Sequence, residues 1–205
     1  MFRDRTAAGE RLADALEDRG IAADIVLAIP RGGLPLGRAV ADRLDAPLDV
    51  VVASKIGAPR NEEFAIGAVA EDGAVWLNDD ALDRLSVSER YLAQERERER
   101  EVAAEKAATY RDGERPDLAG KRVVIVDDGV ATGATMRASL RLVRDEDPAS
   151  LVAAVPVGPP DTLEELATLA DEVVAVERPR SFRAVGAHYR NFGQVSDEKA
   201  MSYLT

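Results

Sequence analysis

The architecture of this chain is read most directly from Val123-Val-Ile-Val-Asp-Asp-Gly-Val-Ala-Thr-Gly-Ala-Thr135. Its first four residues are β-branched and apolar, which is typical of a buried strand. Asp127 and Asp128 follow where that strand must end. A run of small residues then leads into apolar positions spaced for a helix, namely Met136, Leu140 and Val143. The segment predicts a strand, an acidic pair, a tight loop and a helix N-terminus in direct succession.

The loop after the acidic pair is suited to a phosphate group. Backbone N–H groups in such a loop and the positive end of a helix both attract anions, and the hydroxyls of Thr132 and Thr135 add donors. A carboxylate would repel a phosphate, so we expect the acidic pair to face neutral hydroxyls or a divalent cation on the same ligand. A sugar phosphate with vicinal hydroxyls meets both demands. The alternative to a phosphate-binding loop is an ordinary βα turn in which one aspartate caps the helix. Such a cap would not explain the second aspartate or the glycine and threonine residues.

Two common nucleotide-binding loops do not fit this segment. A Walker A loop needs Gly-Lys-[Ser/Thr], whereas Gly133 is followed by Ala134, and Gly129 and Gly133 lack the dinucleotide fingerprint spacing. The segment instead resembles the phosphoribosyl pyrophosphate (PRPP) loop of the type I phosphoribosyltransferases. That resemblance implies that Asp127 and Asp128 contact the ribose hydroxyls and that the small residues hold the 5′-phosphate. These small residues are Gly129, Val130, Ala131, Thr132, Gly133, Ala134 and Thr135.

Composition limits the class of protein. The 205 residues suffice for one α/β domain with a core, and the absence of cysteine excludes disulfides and thiolate metal sites. No apolar run is long enough to span a bilayer and the N-terminus lacks a signal-peptide core, so we expect a cytoplasmic protein without membrane contact. A net charge of −11 argues against a nucleic-acid partner bound through a basic face. The acidic, lysine-poor composition indicates either a high-salt (halophilic) cytoplasm or a GC-rich coding bias.

Strand and helix patterns alternate along the chain. Strands are predicted at about 24–29, 48–53, 74–77, 123–126, 151–156 and 172–176, and helices at about 6–19, 34–44, 87–110, 136–144 and 161–170. Residues 54–73 are expected to be mobile or hairpin-like, and the Glu/Arg run 95–101 to be a solvated helix face. The alternation predicts an α/β fold with a doubly wound, mainly parallel sheet flanked by helices. We expect residues 1–176 to form this core, and the family resemblance implies a small C-terminal hood over residues 177–205.

A second small-residue turn, Pro30-Arg31-Gly32-Gly33, follows the first predicted strand. In a doubly wound sheet, ligands bind at the carboxyl ends of the strands, so this turn should lie on the same edge as the acidic pair. Arg31 is suited to bidentate contact with phosphate oxygens. The turn resembles the pyrophosphate loop of the same family, which implies that Pro30, Arg31, Gly32 and Gly33 face the diphosphate and that a non-proline cis peptide joins Arg31 to Gly32.

Residues 54–64 match the position of the flexible loop that closes over PRPP in this family. The resemblance implies that Lys55 and Arg60 reach the departing pyrophosphate and that Lys55 and Arg31 serve catalysis by neutralising its charge. Alternatively, Lys55 and Arg60 are solvated loop cations.

Aromatic residues are concentrated after the last predicted strand. Family members carry a hood that stacks on the nucleobase, which implies this role for Phe182, Tyr189 and Phe192. They could equally be anchors that hold the tail in place. His188, the single histidine, is expected to be a packing or surface residue.

The resemblance implies a homodimeric, Mg²⁺-dependent transferase that moves the phosphoribosyl group of PRPP to a nucleobase or related nitrogen heterocycle, as in nucleotide salvage. Mg²⁺ would be bound through PRPP, without a direct protein metal site. Ala131 stands where some purine-using relatives carry an aspartate, which leaves Glu62, Glu63 or solvent to handle the proton of the base. Two alternatives are a PRPP-sensing regulator with little catalysis and a sugar-phosphate hydrolase. The loop contains no nucleophile or water-activating base to favour the hydrolase.

Overall fold

Five parallel strands form the central sheet of the protein. The computed structural model describes residues 1–71, 73–111 and 113–205, and all of their side chains except those of residues 62 and 63. The strands are β1 (Ile25–Ala28), β2 (Leu48–Val50), β6 (Arg122–Val126), β7 (Ser150–Val157) and β8 (Glu172–Glu177), in the spatial order β2-β1-β6-β7-β8. The prediction of a mainly parallel sheet is confirmed.

Helices cover both faces of this sheet. Helices α1 (Arg5–Glu17) and α2 (Leu34–Leu44) cover one face, and α5 (Ala134–Arg144) and α6 (Pro160–Leu166) cover the other. Successive strand residues point to opposite faces, so Val124 and Val126 join the first core layer while Val123 and Ile125 join the second. The three central strands, β1, β6 and β7, are apolar apart from Arg122 and Ser150 at the starts of β6 and β7, because both of their faces are buried.

A separate antiparallel sheet follows β2. It consists of β3 (Ala53–Ala58), β4 (Asn61–Ala70) and β5 (Val75–Leu77), in the order β3-β4-β5. The hairpin expected within residues 54–73 is confirmed, but the continuous strand predicted over 48–53 is wrong. The apolar run changes sheets after Val50, because the hairpin has an apolar face of its own that packs in a separate small core around Ile56 and Ile66.

Two helices connect this second sheet to β6. Helix α4 (Glu89–Tyr110) matches the predicted long helix, and it begins where the Ser88 hydroxyl accepts a hydrogen bond from the Tyr91 amide at 3.3 Å. Helix α3 (Asp79–Leu85) was not predicted. Its two turns are too short to give a clear helical period, although the Asn78 side chain caps it by accepting from the Ala81 amide at 3.1 Å.

The C-terminal segment packs on both the N-terminus and α4. It contains a 3₁₀ turn (Val185–His188) and a short helix, α7 (Asp197–Met201). The Phe2 amide donates to the His188 carbonyl at 2.7 Å, which ties the tail to the start of the chain. Ala200 of α7 is fully buried in a cluster with alanines of α4.

The strand order reverses between β1 and β6, which are adjacent. Ligands of open α/β sheets bind at such a reversal, outside the carboxyl ends of the strands. Residues 30–33, which follow β1, and residues 129–135, which follow β6, flank this point; we call them the Gly32 turn and the Gly133 loop. Within the described ranges, none of the helices has the length and apolar character needed to cross a membrane.

Candidate functional site

The Gly32 turn is in direct contact with the acidic pair. A Cβ atom at Gly32 would lie 2.2 Å from Asp128 Oδ2, and one at Gly33 would lie 2.6 Å from the carbonyl oxygen of Val126. Both positions therefore exclude a side chain for reasons of space. The chain contains a non-proline cis peptide between Pro30 and Arg31, one bond before the position expected from the family resemblance.

The Gly133 loop lines a small, open cavity of about 220 Å³ at the N-terminus of α5. All seven loop residues line this cavity. Gly133 has a φ of +72°, in the left-handed region that favours glycine, and it offers no side-chain cap to the first N–H groups of α5. The Thr162 hydroxyl donates to the Ala131 carbonyl at 2.8 Å and fixes the loop to α6. The arrangement can bind an anion through uncapped helix N–H groups.

The two carboxylates of the acidic pair have different surroundings. Asp127 accepts a hydrogen bond from the Asp128 amide at 2.8 Å. Burial raises the pKa of the Asp127 carboxyl well above its usual range, and the charge of Asp128 raises it further. Burial also raises the pKa of Asp128, while the hydrogen bond from Arg5 opposes that rise. Ionisation of Asp127 is thus costly in the free protein, whereas Asp128 has a cationic partner in Arg5.

Arg5 is a site residue that the sequence analysis did not identify. Its Nε donates to Asp128 Oδ2 at 2.8 Å, and its Nη1 donates to the Gly193 carbonyl at 2.6 Å. Its guanidinium carbon lies 3.9 Å from the centre of the Phe192 ring. Arg5 is the first residue of α1 and lies in no recognisable motif, so only the tertiary fold reveals its position.

One cavity of about 800 Å³ brings eight of the predicted site residues together. Its lining includes Pro30, Arg31, Gly32, Lys55, Asp127, Asp128, Thr135 and Phe192, along with Arg5. We call it the main cavity. Arg60 does not line it; that arginine lies beside Phe64 and Tyr91 in a separate cavity of about 810 Å³ at the tip of the hairpin.

The three hood aromatics have different environments. Phe192 lines the main cavity, whereas Tyr189 is buried between Phe2 and Phe192, with ring-centre distances of 5.4 and 4.9 Å. The Tyr189 hydroxyl donates to the backbone carbonyl of Asp128 at 2.6 Å. Phe182 is stacked on His188 at 5.1 Å. The contacts of Phe182 and Tyr189 are those of anchors, which hold the tail against the N-terminus and the acidic pair.

Helix α4 forms one wall of the main cavity. Glu99, Val102, Lys106 and Tyr110 follow helical spacing and all line it. The Glu/Arg run was expected to be a solvated face. Arg98 fits this prediction, with 58% of its side chain exposed, but the prediction is wrong for Glu99, whose side chain is 14% exposed because it faces β3. Glu99 is hydrogen-bonded to Ser54 of β3.

Arg31 is linked to α4 through the C-terminal segment. Its Nη1 lies 3.7 Å from Asp197 Oδ1, and Asp197 accepts a hydrogen bond from the Tyr110 hydroxyl. Burial and this bond raise the pKa of Tyr110 to about 12. The tyrosine is therefore a neutral donor at physiological pH, and it helps to fix the carboxylate beside Arg31.

The donor set of the site suits Mg²⁺ only in combination with a ligand. Among the described residues, no group of three or more acidic or histidine side chains converges on a metal position. Mg²⁺ commonly uses one or two carboxylates and takes its remaining oxygens from water and substrate phosphates. Asp127 and Asp128 could supply that share. The side chains of Glu62 and Glu63, suggested as proton acceptors, lie outside the described residues.

Comparisons with known proteins agree with this geometry. The chain is 42% identical over 205 residues to "Putative phosphoribosyl transferase Rv0571c" of Mycobacterium tuberculosis strain H37Rv, and to its counterpart MT0597 in strain CDC 1551. It covers 46% of their length, so the chain spans about half of the curated relatives that it matches. The crystal structure of TT1426 from Thermus thermophilus superimposes with a TM-score of 0.91 at 47% identity, covering 100% of this chain and 97% of that one. The model of the phosphoribosyl transferase domain matches residues 4–189. The chain therefore belongs to the phosphoribosyl transferase domain family.

Proposed function

We propose that this protein transfers the 5-phosphoribosyl group of PRPP to a nucleobase or related nitrogen heterocycle and releases pyrophosphate. One observation carries the proposal: the Gly32 turn touches Asp128 at the edge of a single cavity. The small cavity of the Gly133 loop shares Asp127 and Thr135 with the main cavity, so one ligand can extend over both turns and the acidic pair. PRPP carries a phosphate, vicinal hydroxyls and a diphosphate, which match these three elements in turn.

Each part of PRPP has a proposed location. The 5′-phosphate occupies the small cavity of the Gly133 loop, where the uncapped N–H groups of α5 receive it. The ribose hydroxyls donate to Asp127 and Asp128. The pyrophosphate lies against the Gly32 turn, with Arg31 and Lys55 beside it. Arg60 would join the pyrophosphate only if the hairpin moved toward the main cavity.

The reaction replaces one bond at the anomeric carbon. The C–O bond to pyrophosphate breaks, its electron pair leaves with the pyrophosphate, and a nitrogen of the acceptor forms the new C–N bond. The proton on that nitrogen passes to solvent or to a nearby base. Arg31 and Lys55 neutralise the charge that develops on the departing diphosphate, and the two turns hold the sugar in place, so catalysis rests on positioning and electrostatics.

Bound Mg²⁺ would neutralise diphosphate oxygens and so assist the departure of pyrophosphate. Asp127 and Asp128 are the residues of this chain that would share it with PRPP. As further parts of the proposal, residues 177–205 act as a hood over the acceptor and the protein works as a cytoplasmic homodimer in nucleotide salvage. Analytical ultracentrifugation of the purified chain tests the dimer.

The experiment is to measure pyrophosphate release from PRPP with a panel of purines, pyrimidines and orotate, with and without Mg²⁺. The Asp127→Asn/Asp128→Asn variant should lose release. The matched control is Asp79→Asn/Asp80→Asn, which neutralises another adjacent acidic pair, exposed in the first turn of α3. The control variant should keep the wild-type rate.

The transferase is supported if pyrophosphate release requires one particular acceptor. Release should then be lost in Asp127→Asn/Asp128→Asn and kept in Asp79→Asn/Asp80→Asn. PRPP binding by calorimetry without release for any acceptor would favour the PRPP-sensing regulator instead. Absence of both binding and release would overturn the proposed ligand.

A further inference from the structure

Resting on the proposed function, we infer that Arg5 binds the acceptor and selects a heterocycle that presents a carbonyl oxygen in preference to an amino group. Three groups surround the ribose during the reaction: the 5′-phosphate, the departing pyrophosphate and the incoming acceptor. The Gly133 loop and the Gly32 turn account for the first two. Arg5 contacts Asp128 directly at 2.8 Å and packs on Phe192; both line the main cavity and lie on neither turn, so we assign the acceptor to this side of the ribose.

Arg5 is held firmly from three directions. Asp128 fixes Nε, the Gly193 carbonyl fixes Nη1, and the Phe192 ring lies against one face of the guanidinium at 3.9 Å. Only 13% of the Arg5 side chain is exposed. A group with so little remaining freedom can distinguish ligands by the geometry of their hydrogen bonds.

The guanidinium still has donors to offer. Arginine carries five N–H groups, and the contacts with Asp128 and Gly193 use two of them, so three have no partner within the described part of the chain. Because Arg5 lines the main cavity, a ligand bound there can accept hydrogen bonds from its guanidinium. Arginine has no acceptor atom and does not lose its proton.

These properties determine the class of acceptor. A carbonyl oxygen next to Arg5 gains one or two charge-assisted hydrogen bonds, whereas an amino group in the same place would set donor against donor. The charge of Arg5 is already balanced by Asp128, so a neutral carbonyl is sufficient. Phe192 and Tyr189 are less suited to recognise this oxygen. The guanidinium of Arg5 covers one face of the Phe192 ring, and Tyr189 is buried.

The test measures the affinity of product nucleotides by calorimetry. Inosine 5′-monophosphate carries an oxo group where adenosine 5′-monophosphate carries an amino group. Uridine and cytidine 5′-monophosphates differ in the same way. In the wild-type protein the oxo member of at least one pair should bind about tenfold or more tightly, as expected for a hydrogen bond to a charged group. Arg5→Gln should reduce this ratio to within about threefold, because an amide can either donate or accept.

The matched control is Arg11→Gln. Arg11 also belongs to α1 and stacks on an aromatic ring, that of Phe2 at 4.7 Å, but it does not line the main cavity. Its substitution should leave both nucleotide ratios unchanged. Ribose 5-phosphate affinity provides the second readout, because it depends on the acidic pair but not on an acceptor.

Two results would overturn the inference while leaving the proposed function intact. One is wild-type protein that binds the amino member of each pair as well as or better than the oxo member. The other is an Arg5→Gln variant that loses affinity equally for ribose 5-phosphate and all nucleotides, since Arg5 would then act only by holding Asp128. If the wild-type protein bound neither ribose 5-phosphate nor any nucleotide, the proposed function itself would fail.

Discussion

Gly32 and Asp128 are in contact across the point where the strand order reverses. The space for a Cβ atom at Gly32 is occupied by Asp128 Oδ2, at 2.2 Å. Asp128 cannot retreat easily, because Arg5 holds its carboxylate and Tyr189 holds its backbone carbonyl. The position of the Asp128 carboxylate therefore depends on the absence of a side chain at Gly32.

Gly32→Ala should displace the Asp128 carboxylate and weaken PRPP binding. We expect calorimetry to show a loss of about 10- to 100-fold, because misplacing a site group by an ångström has effects of that order. Gly193→Ala is the matched control, since a Cβ there would have no atom within 4 Å. Wild-type PRPP affinity in Gly32→Ala would show that Asp128 does not need this position to bind the ribose.

The parts of the site formed by short segments could be predicted from the sequence. The acidic pair, the Gly133 loop and the Gly32 turn each combine a strand end with small residues, and the parallel sheet brings such strand ends to one edge. Arg5 could not be found in this way, because its partner Asp128 is distant in sequence and no local pattern marks a buried arginine at a helix start.

The residues that form the walls of the main cavity could not be predicted from local sequence patterns either. The charges of α4 have the same pattern whether the helix faces water or lies across a cavity, so Lys106 and Tyr110 gave no signal. The division of residues 48–53 between two sheets depends on the hairpin core around Ile56, which forms only after residues distant in sequence come together.

Asp127→Asn should stabilise the folded protein at pH 7. The folded-state pKa of Asp127 is raised, so ionisation of this carboxyl disfavours folding at every pH above its unfolded value of about 3.9. Removing that cost should raise the melting temperature, by about 2–4 °C for each kcal/mol gained in a domain of this size. The advantage should shrink as the pH falls through the folded-state pKa, where wild-type Asp127 becomes neutral.

Thermal unfolding from pH 4 to pH 8 measures this effect, with PRPP calorimetry alongside. Asp83→Asn, at an exposed position on α3, is the control and should show no such pH-dependent gain. Greater stability combined with weaker PRPP binding would indicate that the carboxylate is kept for the ligand. A lower melting temperature at pH 7 would contradict the assignment of Asp127 as a destabilising buried acid.

Added salt should stabilise the protein if its acidity is an adaptation to a saline cytoplasm. The net charge is −11, and raising KCl from 0.1 to 1 M shortens the screening length from about 10 to about 3 Å, which relieves repulsion between acidic side chains. We expect the melting temperature at pH 7 to rise over this range. The rise should vanish near pH 4.7, the sequence pI. A melting temperature independent of KCl at pH 7 would favour coding bias.

Arg31→Ala should weaken binding at the pyrophosphate end of the main cavity and leave the ribose end unchanged. Arg31 is 37% exposed, and its ion-pair partner Asp197 lies at 3.7 Å, so the side chain can turn to an incoming diphosphate. We expect pyrophosphate and PRPP affinities to fall about tenfold, as for loss of a charge-assisted contact, with ribose 5-phosphate affinity within about twofold of wild type. Arg190→Ala, an exposed arginine outside the cavity, is the control.

Arg60→Ala provides the comparison within the same titrations. Arg60 lines the separate cavity at the hairpin tip, so its substitution affects pyrophosphate only if the hairpin closes over the ligand. If Arg60→Ala loses as much pyrophosphate affinity as Arg31→Ala, both arginines contact the diphosphate in the closed state. If its pyrophosphate affinity is unchanged, Lys55 is the hairpin residue that contacts the diphosphate. An equal loss of ribose 5-phosphate and pyrophosphate affinity in Arg31→Ala would show that the Gly32 turn does not bind the diphosphate specifically.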